Sequence, residues 1–336
     1  MPSMRSSPVT EPPAASSPCP SGAAVVWGRQ PGIGLDGTVI QQIDLGIPAN
    51  SQCAWRWWPK LLETRIGSRP DERQTLSNTS PERKLAAIHD IELSYEVRGR
   101  GEPLLLLHGF TGAGSDWRYV FDLDALAREF QLILPDLRGH GGSTNPSGAL
   151  TIRQCALDVL ALLDHLGLER TLAIGYSLGG NTLLHLATRS PQRVKRMVLV
   201  AATPYYPAQA RKLMAAMTEE TRSPAEWAEM RARHVHGDAQ IRDLWRIGRG
   251  FADSYDDMNF TPPLLSTIAA PTLLVNGDQD PLYPPTLSLE LFQAIPDARL
   301  WIIPNGGHGP IFGEHREAFA RTALDFVRGS QATARP

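Results

Sequence analysis

Apolar runs and amphipathic stretches alternate along the chain from residue 85 onward. The apolar runs PLLLL, QLILP, TLAI, MVLVAA, TLLV and LWII each lead shortly into Gly, Asp or Pro, as buried strands do before a turn. Helical periodicity fills the intervals at about 116–129, 151–166, 178–189, 285–294 and 314–328. The alternating segment LAAIHDIELSYEVRG adds a hairpin that turns at His89 and Asp90. We therefore expect an α/β fold, with a mostly parallel eight-stranded sheet and helices on both faces.

One interval breaks this rhythm, because residues 203–262 carry helical patterns alone. They are rich in Met, Trp and Arg, and Pro204, Pro207, Pro224 and Gly237 interrupt them. An insertion between two strands of a parallel sheet lies above their carboxyl ends, which is where ligands bind in open α/β sheets. We expect this interval to form a helical cap.

Residues 1–80 differ in composition from the rest of the chain. Pro, Ser, Gly and Ala dominate the beginning, and the aromatic cluster WRWW at 55–58 is followed by the polar stretch 65–83. Such a segment buries too little apolar area to offset its ordering entropy. We expect residues 1–80 to be a disordered extension and residues 81–336 to form the folded domain. Docking of WRWW on that domain or on a membrane surface is the alternative.

Charge and cysteine content narrow the function classes. The formal net charge of -2 leaves no basic excess with which to bind nucleic acid. No segment approaches the roughly 18 consecutive apolar residues that a membrane-spanning helix needs, and the polar, Pro-rich beginning is unlike a secretory signal. Cys19, Cys53 and Cys155 are widely separated, which is typical of a reduced protein. We expect a cytoplasmic protein without a nucleic-acid partner or a membrane span. The sequence leaves its oligomeric state open.

The strongest chemical signal is the pentapeptide Gly175-Tyr176-Ser177-Leu178-Gly179. It follows the apolar run TLAI and opens the helical stretch NTLLHLATR. A GxSxG sequence between a strand and a helix is typical of a nucleophile elbow, in which the glycines leave room for the neighbouring strand and helix. Ser177 is therefore the candidate nucleophile, and an idle serine in a Gly-rich turn is the alternative.

A serine hydroxyl needs a base to take its proton, and the base needs a carboxylate to orient it. His308, in PNGGHGP after the run LWII, is the candidate base, while His315 in the following helix is a poorer choice. After the run TLLV, the sequence NGDQDP offers Asp280 and Asp278, of which we prefer Asp280.

Acyl transfer also needs donors for the oxyanion that develops on the substrate. The backbone N–H of Leu178, directly after the nucleophile, is one candidate. The N–H of Phe110 in the loop HGFTG is the other. We expect His108 and His140, at the ends of earlier strands, to support loop geometry.

The motifs HGFTG, DLRGHGGS, GYSLGG, NGDQDP and GGHGP, in this order, resemble the α/β-hydrolase superfamily over about residues 85–330. Within it, the chain is similar to the capped esterase, haloperoxidase and C–C hydrolase branch. The resemblance implies a catalytic triad of Ser177, Asp280 and His308. It also implies that the backbone N–H groups of Phe110 and Leu178 are the oxyanion donors. Epoxide hydrolases and haloalkane dehalogenases have aspartate at the elbow, so the serine disfavours their chemistry. The loop HGF also differs from the HGGG loop of hormone-sensitive-lipase relatives.

Bulky side chains of the expected cap, and one beside the nucleophile, are candidates for lining a substrate pocket. They are Tyr176, Tyr205, Met214, Met217, Trp227 and Trp245. More often such residues form the core of a cap. Contacts of Arg153, His234 and His236 with an acidic substrate are conceivable, but we favour solvated surface positions for all three.

These observations predict a serine hydrolase that cleaves carboxylic esters of small organic substrates through an acyl-enzyme. We expect no metal and no organic cofactor, since no His/Cys cluster has zinc spacing and no GxGxxG follows a strand. C–C bond hydrolysis, lactone opening and acyl transfer are alternatives on the same triad. A non-catalytic ligand-binding module is the remaining alternative.

Overall fold

The computed structural model describes residues 83–330 and two short strands, Gly32–Ile33 and Val39–Ile40. These two strands pair antiparallel within a unit, Met1–Ser51, that is distinct from Gln52–Pro336. The remainder of the expected disordered extension at 1–80, including the WRWW cluster, lies outside the described residues. The boundary near residue 80 therefore stays a prediction.

Eight strands form one sheet in the second unit. They are β1 (Lys84–Ile88), β2 (Ile91–Arg98), β3 (Glu102–Leu107), β4 (Phe130–Pro135), β5 (Thr171–Tyr176), β6 (Val194–Val200), β7 (Thr272–Gly277) and β8 (Ala298–Ile303). Their order across the sheet is β8-β7-β6-β5-β3-β4-β2-β1. Strands β3 to β8 pair in parallel, while β2 pairs antiparallel with both β1 and β4. The predicted mostly parallel eight-stranded sheet is confirmed.

Nine α-helices accompany this sheet in the described part of the chain. They are α1 (Leu123–Leu126), α2 (Ile152–His165), α3 (Leu178–Arg189), α4 (Ala208–Ala215), α5 (Pro224–Arg233), α6 (Asp238–Gly250), α7 (Pro262–Leu265), α8 (Pro285–Ala294) and α9 (Arg316–Arg328). The single helix predicted at 116–129 is wrong. A 3₁₀ helix, Gly114–Tyr119, stands there beside the short α1, because the Asp122 carboxylate accepts the N–H of Ala125 and starts a new helix.

The sheet is buried on both faces, which explains why its central strands are apolar at every position. In β3, Leu104 and Leu106 belong to the cluster that contains Phe319 of α9. The alternate residues Leu105 and Leu107 belong to the cluster on the other face, with side chains from α2 and α3. All four leucines are fully buried. The predicted helices on both faces are confirmed.

The chain between β6 and β7, residues 201–271, is an insertion that holds four of the helices, α4 to α7. Part of it has a small core of its own, formed by Met230, Ile241, Leu244 and Trp245. Asp257 fixes the insertion to the sheet-covering helices. Its carboxylate accepts the N–H groups of Ile152 and Arg153 at the start of α2, and its carbonyl accepts a hydrogen bond from His185 of α3. Nowhere in the described chain is a helix long and apolar enough to cross a membrane.

The strand order creates a crevice between β3 and β5. The chain leaves β3 towards β4 on one side, and it leaves β5 towards β6 on the other. Loops that diverge from the carboxyl ends of adjacent parallel strands open a binding crevice at this switch point. The loop after β3 and the turn after β5 therefore lie next to each other at the edge where the candidate site residues are found.

Candidate active site

Ser177 lies in a strained turn between β5 and α3. Its backbone has φ 51 and ψ -109, a conformation that costs a non-glycine residue about 1–3 kcal/mol. The turn is tight enough to require both flanking glycines. A Cβ on Gly175 would lie 2.5 Å from the carbonyl oxygen of Gly179, and a Cβ on Gly179 would lie 2.3 Å from that of Leu107. The turn thus has the geometry of a nucleophile elbow.

A chain of hydrogen bonds joins Ser177, His308 and Asp280. The serine Oγ lies 2.8 Å from His308 Nε2, and His308 Nδ1 lies 2.8 Å from Asp280 Oδ2. The other carboxylate oxygen accepts the N–H groups of Leu282 at 2.8 Å and Tyr283 at 3.0 Å. Because a carboxylate only accepts, His308 Nδ1 carries the proton, and the lone pair of Nε2 faces the serine hydroxyl.

The alternative acid and base lie elsewhere. Asp278 is exposed, whereas the side chain of Asp280 is completely buried. His315 lies next to the exposed Glu314, with 3.7 Å between the imidazole Nε2 and the carboxylate. The structure therefore brings the preferred members of each pair to Ser177.

Two backbone N–H groups are free beside the serine. Leu178 is the first residue of α3, so its N–H has no acceptor within the helix. The N–H of Phe110 belongs to a peptide whose carbonyl, on Gly109, accepts hydrogen bonds from Gly112 N–H at 3.0 Å and His108 Nδ1–H at 2.7 Å. These two bonds fix the plane of the peptide. In the part of the chain that the structure describes, neither N–H has an acceptor.

The loop that carries Phe110 is tied to the loop after β4. We call these segments the oxyanion loop (residues 108–116) and the β4 loop (residues 136–144). His108 Nε2 accepts the N–H of Leu137 at 2.9 Å. The buried carboxylate of Asp136 accepts the N–H of Gly114 in one loop and of Gly142 in the other, both at 2.9 Å. The oxyanion loop thus rests on a second loop, and the histidine lies at the junction as expected from the sequence.

Three buried imidazoles lie together behind Phe110. The ring centroid of His140 is 5.1 Å from that of His108, 6.0 Å from that of His234 and 5.4 Å from that of Phe110. Burial lowers the pKa of all three histidines, so they are neutral at pH 7. Within the described residues, the hydrogen bonds of these three rings go to backbone groups. No group of His, Cys, Asp and Glu that could hold a metal ion occurs within residues 83–330.

The surface position predicted for His234 is wrong. This side chain is 1% exposed, because the end of α5 runs against the oxyanion loop. Its Nδ1 accepts the N–H of Gly141 at 2.9 Å, and its Nε2 donates to the carbonyl of Thr111 at 3.1 Å. Arg153 and His236, by contrast, are exposed as predicted.

The six pocket candidates are divided between the site and its surroundings. Tyr176 is buried with its ring centroid 5.7 Å from that of His308. Met217 and Trp227 pack with Phe110 against the core of the insertion, which includes Trp245. Met214 is buried in the larger sheet cluster. Tyr205 is 38% exposed and donates its hydroxyl to Glu290, so the structure does not bring it to Ser177.

Three aromatic side chains near the site have no counterpart in the sequence-based prediction. The ring centroid of Tyr283 lies 5.2 Å from that of His308. The ring of Tyr206 stacks on that of Tyr283, with 6.3 Å between their centroids. Phe251 lies 5.3 Å from Phe110. A signal existed for Tyr283, since it stands in the same turn as the candidate acid. No local pattern singles out the other two, which lie in the insertion.

Comparison with known proteins places the chain in a family. The family model of the alpha/beta hydrolase family matches residues 104–322. A 2-hydroxymuconate semialdehyde hydrolase from a Pseudomonas species is 31% identical over 264 residues, which are 70% of this chain and 90% of that protein. A soluble epoxide hydrolase from a Corynebacterium species is 36% identical over 119 residues, which are 35% of this chain and only 41% of that protein.

Solved structures agree with this assignment. An enol-lactonase from Burkholderia xenovorans has a TM-score of 0.58 and 28% identity, over 73% of this chain and 100% of that one. A thermophilic esterase from Thermogutta terrifontis has a TM-score of 0.59 and 25% identity, over 74% of this chain and 98% of that one. With its elbow, its strand order and a family match over more than half of its length, the chain belongs to the alpha/beta hydrolase family.

Proposed function

We propose that this protein hydrolyses carboxylic esters of small organic molecules, with Ser177 as nucleophile, His308 as base and Asp280 as orienting acid. The observation that carries the proposal is the continuous hydrogen-bonded chain from the serine hydroxyl to the buried carboxylate. Two free N–H groups, on Phe110 and Leu178, stand next to it. This combination of nucleophile, base and oxyanion donors serves acyl transfer.

In the first half of the reaction, His308 Nε2 takes the proton from Ser177 as Oγ attacks the ester carbonyl carbon. The electron pair of the carbonyl moves onto its oxygen, which the N–H groups of Phe110 and Leu178 stabilise. Asp280 stabilises the imidazolium through Nδ1–H. The C–O bond to the alcohol then breaks, and His308 passes the proton to the leaving alkoxide.

In the second half, water replaces the alcohol. His308 takes a proton from this water, whose oxygen attacks the acyl carbon, and the same N–H groups stabilise the second oxyanion. The bond between the acyl carbon and Ser177 Oγ breaks. The serine regains its proton from His308, and the carboxylic acid leaves. The cycle consumes one water, and none of its steps calls for a cofactor.

Apolar surroundings favour an uncharged ester as the substrate. The rings that lie closest to His308 are those of Tyr283 and Tyr176, and Phe251 of the insertion lies against Phe110. We propose that the insertion acts as a cap, and that Met217 and Phe251 border the site on its side. Structural neighbours with ester chemistry in their names, the esterase and the enol-lactonase, support this substrate class.

C–C bond hydrolysis is the second candidate, because a relative that matches over 90% of its own length is a 2-hydroxymuconate semialdehyde hydrolase. The same serine, histidine and oxyanion donors would act on a ketone carbonyl. Epoxide opening is disfavoured, since the elbow presents a hydroxyl and not the carboxylate that attacks an epoxide carbon.

The test is a substrate panel on the full chain and on Ser177→Ala. The panel holds nitrophenyl esters of graded chain length, a lactone and a vinylogous diketone. We expect turnover of a short or medium ester by the wild type and a loss of about 10⁶-fold in the variant. Folded wild-type protein that cleaves the diketone and none of the esters would contradict the ester proposal and favour the second candidate.

A further inference from the structure

A short segment at the end of α5 crosses both loops behind the site. We call residues 233–240 the latch segment. On the β4 loop, Val235 N–H donates to the carbonyl of Gly141 at 3.1 Å, and His236 Nε2 donates to the carbonyl of Gly142 at 3.1 Å. The side-chain amide of Gln240 donates to the carbonyls of Gly139 at 3.0 Å and Gly141 at 3.1 Å. The segment is thereby anchored to one of the two loops.

Two neighbouring side chains of the latch segment reach the other loop. His234 donates to the carbonyl of Thr111, as described above. Arg233 Nε donates to Asp116 Oδ1 at 3.2 Å, and the second oxygen of that carboxylate accepts the N–H of Ala113 at 3.1 Å. The insertion therefore contacts the oxyanion loop on both sides of its turn.

The hydrogen bond from His234 to Thr111 lies next to the proposed oxyanion donor, the N–H of Phe110. Thr111 directly follows Phe110, and it has φ 62. Positive φ is unfavourable for a β-branched residue, and such conformations persist only where the surroundings impose them. Its carbonyl is held by His234, a residue 123 positions away in the sequence.

We propose that His234 is a positioning residue for the oxyanion hole, through which the insertion sets the orientation of the Phe110 N–H. This inference rests on the proposed function. The imidazole suits the task because it accepts from Gly141 on one nitrogen and donates to Thr111 on the other, and so fixes the distance between the two loops. Burial lowers the pKa of His234 to about 4, which keeps the accepting nitrogen unprotonated at neutral pH.

The consequence is that one structural unit controls both substrate access and oxyanion stabilisation. The insertion supplies Phe251 and Met217 next to the Phe110 ring, and it holds the backbone of the following residue through His234. A displacement of the insertion would therefore move the oxyanion donor as well as the wall of the site.

The experiment compares three variants of the full chain, His234→Ala, His234→Gln and His236→Ala. A glutamine amide can accept from Gly141 with its oxygen and donate to Thr111 with its nitrogen, so it restores both bonds. His236 is the matched control, because it lies in the same segment and bonds the β4 loop alone. Active sites are titrated with a fluorophosphonate, so that kcat is expressed per competent site and an unfolded fraction does not lower it.

We expect His234→Ala to lower kcat per titrated site by about 10- to 100-fold with KM within about twofold, because a misplaced oxyanion donor weakens the transition state more than the ground state. His234→Gln should return to within about threefold of the wild type, and His236→Ala should stay within about twofold. An unchanged kcat in His234→Ala, an equal fall in His236→Ala, or a glutamine variant as slow as the alanine variant would each overturn the inference. Ser177→Ala, assayed per mole of folded protein, separates the two proposals, since ester turnover by that variant at a rate close to that of the wild type would overturn the proposed function itself.

Discussion

Replacing Asp280 by asparagine inverts the hydrogen bond that orients the candidate base. In the wild type, Asp280 Oδ1 accepts two backbone N–H groups, and Oδ2 accepts His308 Nδ1–H. The asparagine oxygen keeps the backbone bonds, so its NH₂ group faces His308. The imidazole must then carry its proton on Nε2, where it can no longer take the proton of Ser177.

The expected loss of kcat is about 10⁴-fold, or about 5.5 kcal/mol of transition-state stabilisation. The free energy of unfolding should fall by about 1–3 kcal/mol at most, because one charge-assisted hydrogen bond weakens while the two backbone bonds remain. The loss of kcat and the loss of stability are measured separately, the first with a nitrophenyl ester and the second by urea unfolding of the same protein.

Asp278→Asn is the matched control for this prediction. It removes the same charge two residues away from an exposed side chain, and it should change kcat by less than about twofold. A variant Asp280→Asn that keeps a tenth of the wild-type kcat, or a control that falls as steeply, would refute the tautomer argument.

Three further predictions concern the framework of the site. Gly179→Ala should lower the free energy of unfolding by about 1–3 kcal/mol, because its Cβ would lie 2.3 Å from the Leu107 carbonyl; Gly250→Ala, with nothing within 4 Å, is the control that should show no loss in urea unfolding. Asp158→Ala should lower the free energy of unfolding by about 1–3 kcal/mol, because the Arg138 guanidinium, 2% exposed, loses its buried partner and keeps only the half-exposed Asp90; an unchanged free energy of unfolding in the same assay would contradict this. The folded-state pKa of His234, about 4, lies below its unfolded value. The neutral imidazole therefore makes its full contribution to the free energy of unfolding above about pH 6.5, and this contribution is lost by about 1.4 kcal/mol per pH unit as the pH falls towards 4. Urea unfolding at pH 7 and pH 5 should show a smaller pH dependence in His234→Gln than in the wild type, and equal dependence would contradict the assignment.

The strands were predictable because a strand that is buried on both faces is a continuous run of apolar residues in the sequence. The run of leucines in β3 faces two apolar clusters, and only a strand covered on both faces needs an apolar residue at every position. The failure at 116–129 has a local cause too, since Asp122 competes as a helix cap within an otherwise helical pattern.

The candidate triad followed from the same logic, because the carboxyl ends of parallel strands meet at one edge of the sheet. The contacts of the insertion did not follow from it. His234 bonds Gly141 and Thr111, which are 93 and 123 residues away, so its burial depends on packing that no local pattern encodes. The choice between the exposed Tyr205 and the buried Tyr206 likewise depends on how the chain turns after β6.

The most direct test of the central claim is covalent labelling of the full chain with a fluorophosphonate, followed by peptide mass spectrometry. A phosphonate reacts with a serine that a neighbouring base has activated, and its P=O group occupies the oxyanion site. We expect one adduct per chain, on Ser177, and none in Ser177→Ala. An adduct on another residue, or ester turnover by protein that carries no adduct, would contradict it.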